Sequence, residues 1–364
     1  MTLAGVASTG SSALIRARLS GWSLAAIAAG AVAVTVVLFA ATPMQGRVGF
    51  LMVAAALTVV AQTTVSALVE GRRRAKDRLM TSIVVACSCA AVLPLVAVLG
   101  FTIAKGAVVL NGSFLTHTMR GVAEQDAAGG IYHAVIGTLE QVGLATLMAV
   151  PFGLLVAIYL VEYSSGRLGR IVSFFVDVMT GLPSIVAGLF IFALWILALR
   201  QSFSGFAGSM ALAILMLPTV VRSAEEMLKI VPDSLREGSY ALGIQKWVTV
   251  VRIVLPSALT GIVTGVMLAI ARVTGETAPL LVTVFGNPAL NFDPFSGAQA
   301  SLPLFVFSEA GLPNETAINR AWAAALVLIL IVLFLNVVAR VLARLASVRS
   351  QPLKLDLSWP RMFR

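Results

Sequence analysis

Eight stretches of this chain are long and apolar enough to cross a lipid bilayer, and that pattern limits what the chain can become. They run approximately over 22–41, 48–69, 80–104, 133–161, 171–199, 207–228, 257–284 and 321–345, some with one or two polar interruptions. A helix rising about 1.5 Å per residue needs about 20 residues to cover the roughly 30 Å of hydrocarbon. The rest of the composition agrees: 59% of the 364 residues are hydrophobic and 12% are charged, against roughly 25% charged in a soluble domain. A water-soluble globule and a disordered chain are both excluded. Ala, Val, Leu and Ile fill the stretches with little periodicity, as in helices that are apolar all round. Strands of a β-barrel would alternate instead. The predicted fold class is an all-α, polytopic membrane helical bundle.

Lys and Arg set the expected orientation. With the N-terminus in the cytoplasm, 19 of the 26 basic residues fall in inside regions and 5 in outside connections, while Arg222 and Arg272 lie within spans. This predicts both termini cytoplasmic, and it explains the net charge of +10 without nucleic acid. Arg16 and Arg18 precede a first apolar stretch longer than the 7–15 residues, roughly, of a signal peptide, so an uncleaved helix is expected. The basic run Gly71–Arg78 marks an internal boundary. It divides an N-terminal extension (1–78), with two helices and a basic linker, from a six-helix core (79–348) and a basic tail (349–364). Segments 105–131 and 285–320 are the long outside connections. The apolar patch 302–307 in the second is too short to span and is expected at the interface, re-entering, or touching an external partner. Cys87, Cys89, His117 and His133 lack the company that a metal site needs.

The inside segment between the sixth and seventh stretches carries the clearest local signals. Pro232 stops one helix, Asp233 or Ser234 can cap the next, and Gly243 ends it by accepting a left-handed conformation. The result is a short exposed helix over about 233–244, suited either to docking on another protein or to lying on the membrane surface.

Its residues resemble the EAA loop of ABC importer permeases: Glu237-Gly238-Ser239, three residues, Gly243, nine residues, then Ile253-Val254-Leu255-Pro256. Gly and Ser replace the two alanines of that pattern, small for small. Further motifs resemble the PstA family, one of the two kinds of membrane subunit in phosphate ABC importers. They are Gly130-Ile131 through Leu139, Val150-Pro151-Phe152-Gly153, Thr180-Gly181-Leu182-Pro183-Ser184 through Leu189, Leu217-Pro218-Thr219 through Glu226, and Ala271-Arg272-Val273-Thr274-Gly275-Glu276-Thr277-Ala278-Pro279-Leu280. The resemblance covers roughly 130–345. It implies a type I permease core of six helices in a bacterial plasma membrane, importing inorganic phosphate. It also implies a PstC-like second permease subunit, a PstB-like ATPase dimer docked on the EAA loop (Glu237, Gly238, Ser239, Gly243, Ile253, Leu255, Pro256), and a PstS-like phosphate-binding protein. ATP and Mg would sit on the ATPase, for this chain has no P-loop and no cofactor of its own is expected.

Arg222 and Arg272 are costly inside a bilayer without a partner or a wet cavity. Glu225 and Glu226 follow Arg222 at i+3 and i+4, and Glu276 follows Arg272 at i+4, so each pair meets on one face if its segment is helical. Two readings fit: ion pairs that hold helices in register, or guanidinium donors for a passing oxyanion, phosphate or another such as molybdate or sulfate. In the resemblance Arg222, Glu225, Arg272 and Glu276 fall on the substrate path. A carboxylate beside each Arg would then compete with the anion and help release it. Pro183 and Pro218 interrupt apolar stretches and are hinge candidates. An ion-coupled transporter working alone would dispense with the docking loop.

Overall fold

The structure is a computed structural model that describes residues 19–42, 46–126, 128–164 and 166–349. Arg16, Arg18 and the tail beyond residue 349 therefore lie outside the described residues. The chain packs as two compact units that divide between Leu99 and Gly100.

The first unit holds α1 (Gly21–Ala41), α2 (Arg47–Val69) and most of α3 (Arg72–Val109). Ser20 caps α1 by accepting from the Ser23 N–H at 3.3 Å. The basic run expected as a linker is already helical: Gly71, at φ 97°, makes the turn, and Arg72 opens α3. Glu70 explains how cations are tolerated at a helix start, where the dipole disfavours them. Its carboxylate accepts from the Leu19 N–H (2.8 Å), the Ser66 hydroxyl (2.7 Å) and Arg78 Nε (2.9 Å), with Arg74 at 4.0 Å. One buried anion joins the start of α1, the end of α2 and the start of α3.

The second unit continues with α4 (Gly112–Thr116) and α5 (Tyr132–Ile158), which runs on through a π turn, Tyr159–Tyr163. Then come α6 (Arg167–Thr180) and α7 (Ser184–Ile191), the latter extended by a π segment, Phe192–Ala198. After α8 (Gly205–Ile230) follow the short α9 (Asp233–Ala241) and α10 (Lys246–Thr249). A π turn, Val250–Val254, joins α10 to α11 (Leu255–Thr274), and α12 (Ala278–Thr283), α13 (Leu302–Ala310) and α14 (Glu315–Arg349) complete the unit. No strand occurs among the described residues. Among the described residues seven helices are long and apolar enough to span, and α6 with α7 makes an eighth if the bent pair is one span.

Two expected spans are not simple rods. The stretch 171–199 turns by 104° between α6 and α7, where Pro183 supplies no N–H and stands as the N-cap of α7. The stretch 257–284 ends as a helix at Thr274 and restarts at Ala278, with Pro279 in its first turn. Pro218, by contrast, sits buried inside an α8 that continues through it. The two interrupted segments pack together: a Cβ on Gly188 would lie 2.6 Å from Pro279 Cα, so only glycine permits the contact.

The core centres on α5, α8 and α11, where Ala145 and Ala149 meet Leu212, Met216 and Val220 of α8 and Ala269 and Val273 of α11. Small residues on α5 let these helices approach closely. The patch 302–307 forms α13 and turns inward. Leu302–Phe305 are buried against α5 and α14, which corrects the expectation of an outer contact surface and leaves Phe307 exposed. Arg320, assigned by sequence to an outside connection, is fully buried. It donates to Glu309 (2.7 Å) and to the carbonyls of Asp126 (2.6 Å) and Glu124 (3.0 Å).

Glu70 lies just past the spanning part of α2. The Leu19 N–H first, then the Ser66 hydroxyl and Arg78, hold its carboxyl below the usual value against the cost of burial. A lowered folded value stabilises above the unfolded value of about 4.3 and is lost as pH falls through the folded one. Acidification below about pH 4 should therefore open the base of the α1–α2 hairpin. Amide exchange at Leu19 in detergent reads this out, and Glu70→Gln should abolish the pH dependence.

Candidate functional site

Arg222 sits two turns before the C-terminal end of α8, and both of its terminal nitrogens are engaged. Nη1 donates to Glu225 Oε2 at 2.5 Å, and Nη2 to Asp177 Oδ1 (2.5 Å), Ser173 Oγ (2.9 Å) and Ser173 O (3.0 Å) on α6. Glu225 in turn accepts from Lys229 Nζ at 2.7 Å. This network ties α8 to α6. Glu226, the i+4 candidate, faces another way and lines a cleft. Asp177 was visible in the sequence as a lone carboxylate in an apolar stretch. Its spacing from Arg222, 45 residues, gave no local clue to the pairing.

Arg272 differs. It is exposed in the last turn of α11, and among the described residues its side chain has no hydrogen bond or ion pair. The expected pairing with Glu276 is absent because the helix ends at Thr274. Gly275 N–H returns to Arg272 O and Glu276 N–H to Val273 O, so Glu276 leaves the face that i+4 would have given it. Below Arg272, at intervals of four, Leu268, Thr264 and Thr260 are also exposed and form one stripe. The lower part of that stripe lines a cleft of about 630 Å³ between α8, α11 and α14, to which Ser223, Glu226, Asn336 and Arg340 also contribute.

After α8, α9 forms as the sequence predicts, with two refinements. Pro232 rather than Asp233 or Ser234 is the N-cap; Asp233 opens the helix and accepts from Arg236 at 3.0 Å. Gly243 has φ 73°, the left-handed conformation that ends it. The motif residues divide between two faces. Ser239 is buried and shares a 2.7 Å hydrogen bond with Thr249 of α10. Glu237 and Gly238 are exposed, and a Cβ on Gly238 would meet nothing within 4 Å. Leu235, Gly238 and Leu242 follow i, i+3, i+7 on one exposed face, Leu242 being 80% exposed. Ile253 lies in the π turn and Leu255 and Pro256 open α11. Pro256 has no N–H for the Arg252 carbonyl, and the π turn stands directly before it. Pro183 is exposed at the α6–α7 bend.

On α5, Glu140 accepts from Gln299 Nε2 at 2.5 Å, and Gln141 Nε2 donates to Gln299 Oε1 (2.9 Å) and Ala300 O (3.1 Å). These residues pin the 285–301 segment to α5.

Residues 149–349, from the middle of α5 to the end of α14, match the family described as the binding-protein-dependent transport system inner membrane component. The chain belongs to that family. It is 50% identical over 279 residues to the phosphate transport system permease protein PstA 1 of Mycobacterium tuberculosis, covering 76% of this chain and 92% of that protein. It is 39% identical over 272 residues to the phosphate transport system permease protein PstA of Yersinia pestis, covering 74% of this chain and 90% of that one. Among solved structures, a chain of the inward-facing MetNI methionine ABC transporter superposes with a TM-score of 0.51 at 20% identity, covering 59% of this chain and 95% of that chain. That likeness shows the fold. The family's matched region contains Arg222, Arg272 and the docking loop; the first unit lies outside it.

The two arginines should separate by stability. Arg222→Gln cuts the tie between α8 and α6, leaving Glu225 to Lys229 and Asp177 to its exposed surroundings, and should cost about 1 kcal/mol. Arg272→Gln breaks no contact and should stay within about 0.5 kcal/mol of the parent chain. Thermal unfolding of both variants in detergent measures the difference.

Proposed function

We propose that this chain is the permease subunit of an ATP-driven importer of inorganic phosphate. The observation that carries the reading is the unpaired, exposed Arg272 in the last turn of α11. Lipid tails offer nothing to a guanidinium, so a helix face bearing one meets water or another subunit. A guanidinium presents paired donors that fit phosphate oxygens and keeps its charge at any relevant pH. The names of the relatives, at 50% and 39% identity, supply the choice of phosphate.

In this reading a PstC-like subunit faces the stripe, and the route runs from Arg272 past Thr264 and Thr260 into the cleft with Glu226 and Arg340. Arg222, held by Glu225, Asp177 and Ser173, braces the wall of that route. The exposed face of α9, with Leu235, Gly238 and Leu242, docks on a PstB-like ATPase, one of two copies. Hydrolysis of ATP with Mg belongs to that partner, and this chain is non-catalytic and binds no cofactor. A PstS-like phosphate-binding protein delivers the anion from outside. The distribution of basic residues supports a bacterial plasma-membrane protein with both termini on the cytoplasmic side.

In proteoliposomes holding the whole complex, Arg272→Gln should lower phosphate uptake at least about tenfold while the complex still assembles. Uptake at the parent rate would remove the reading of Arg272. Gly238→Trp, which fits the chain itself but fills the docking face, should release the ATPase on co-purification.

A further inference from the structure

Arg236 precedes the motif residue Glu237, yet it points away from the exposed face of α9 and into the bundle; its side chain is 13% exposed. All five of its N–H donors are engaged. Nε and Nη2 donate to Glu162 Oε1 (3.0 and 2.9 Å), Nη2 also to Leu228 O (3.0 Å), and Nη1 to Val231 O (2.6 Å) and Asp233 Oδ1 (3.0 Å). Glu162 stands in the π turn that prolongs α5, and its side chain is 4% exposed. Leu228 and Val231 are at the end of α8. One guanidinium therefore fastens α9 to the inner ends of two core helices.

The other tie of α9 has a different character. Ser239 and Thr249 share a single neutral hydrogen bond, which leads through α10 into α11. A hydroxyl pair can slip or exchange at small cost. A buried ion pair cannot, because separating its members leaves each charge desolvated and unmatched. A displacement of α9 is thus imposed on α5 and α8 more stiffly than on α11.

We propose that the Arg236–Glu162 pair is the positioning contact that converts movement of the docking helix into movement of α5 and α8, and so couples ATP turnover to the anion route. The proposal rests on the reading of α9 as the ATPase-docking helix. Glu162 and Arg236 touch neither the anion nor the docking surface; they act through the helices that they join.

The test uses the complete complex in proteoliposomes, with Glu162→Gln, Arg236→Gln, the double variant and Arg236→Lys. Three quantities are read: ATPase retained on purification, ATP hydrolysed, and phosphate taken up per ATP. Each single Gln variant should keep the ATPase and its turnover while uptake per ATP falls about tenfold. The double variant should be no worse than either single, since the pair acts as one unit, and Arg236→Lys should recover part of the loss. Parent-like uptake per ATP in both single variants would overturn the proposal. So would losses that multiply in the double variant, or loss of the ATPase from Glu162→Gln, whose side chain keeps the shape of the original. If Gly238→Trp retains the ATPase and its turnover, the docking reading fails instead, and that result is distinct from any of these.

Discussion

Hydrocarbon offers no hydrogen-bond partners, so each polar group on a membrane helix must be met by the protein, by another subunit or by water that the protein admits. This chain meets most of its difficult charges at helix ends, where free carbonyls and bends are at hand. Glu70 gathers three helix ends in the first unit. Arg320 gathers Glu309 and two loop carbonyls at the start of α14 in the second. Arg236 does the same where α9 meets the ends of α5 and α8, and Arg222 ties α8 to α6. The apolar helices supply the bulk of the bundle, and these few ionic joints decide how its ends are fastened.

The sequence made some of this legible and not the rest, for a physical reason. Span length, hydropathy and proline are local quantities, so the helices and the α9 corner could be read directly, while Pro183 marked a possible hinge but not the 104° bend at α6–α7. The halt at Gly275–Thr277 was harder, because a lone glycine inside an apolar run is compatible with a helix that continues. Ion pairs were hardest. Glu276 looked a good partner for Arg272 by spacing, but a helix that ends early takes it off that face. Arg222 bonded Glu225, as spacing allowed, and also Asp177, 45 residues away; Arg236 chose Glu162, 74 residues away. Such pairings follow from packing, which a linear pattern does not record.

The two interrupted motifs explain one another. The α6–α7 bend brings Gly188 against Pro279, immediately after the break that follows α11. Each segment gives up part of its regular backbone, and the helices that restart after the two breaks pack closely through Gly188 and Pro279. Sequence similarity to the phosphate permeases includes both motifs, and their packing gives that shared pattern a mechanical sense.

The early end of α11 also bears on how briefly an anion would dwell there. Arg272 occupies the final turn, where the peptide dipoles present their negative pole. That pole favours the guanidinium and disfavours any anion beside it. If the proposed route is right, an oxyanion drawn to Arg272 would be attracted by the side chain and opposed by the backbone that carries it, which would make for a shallow energy well and fast departure.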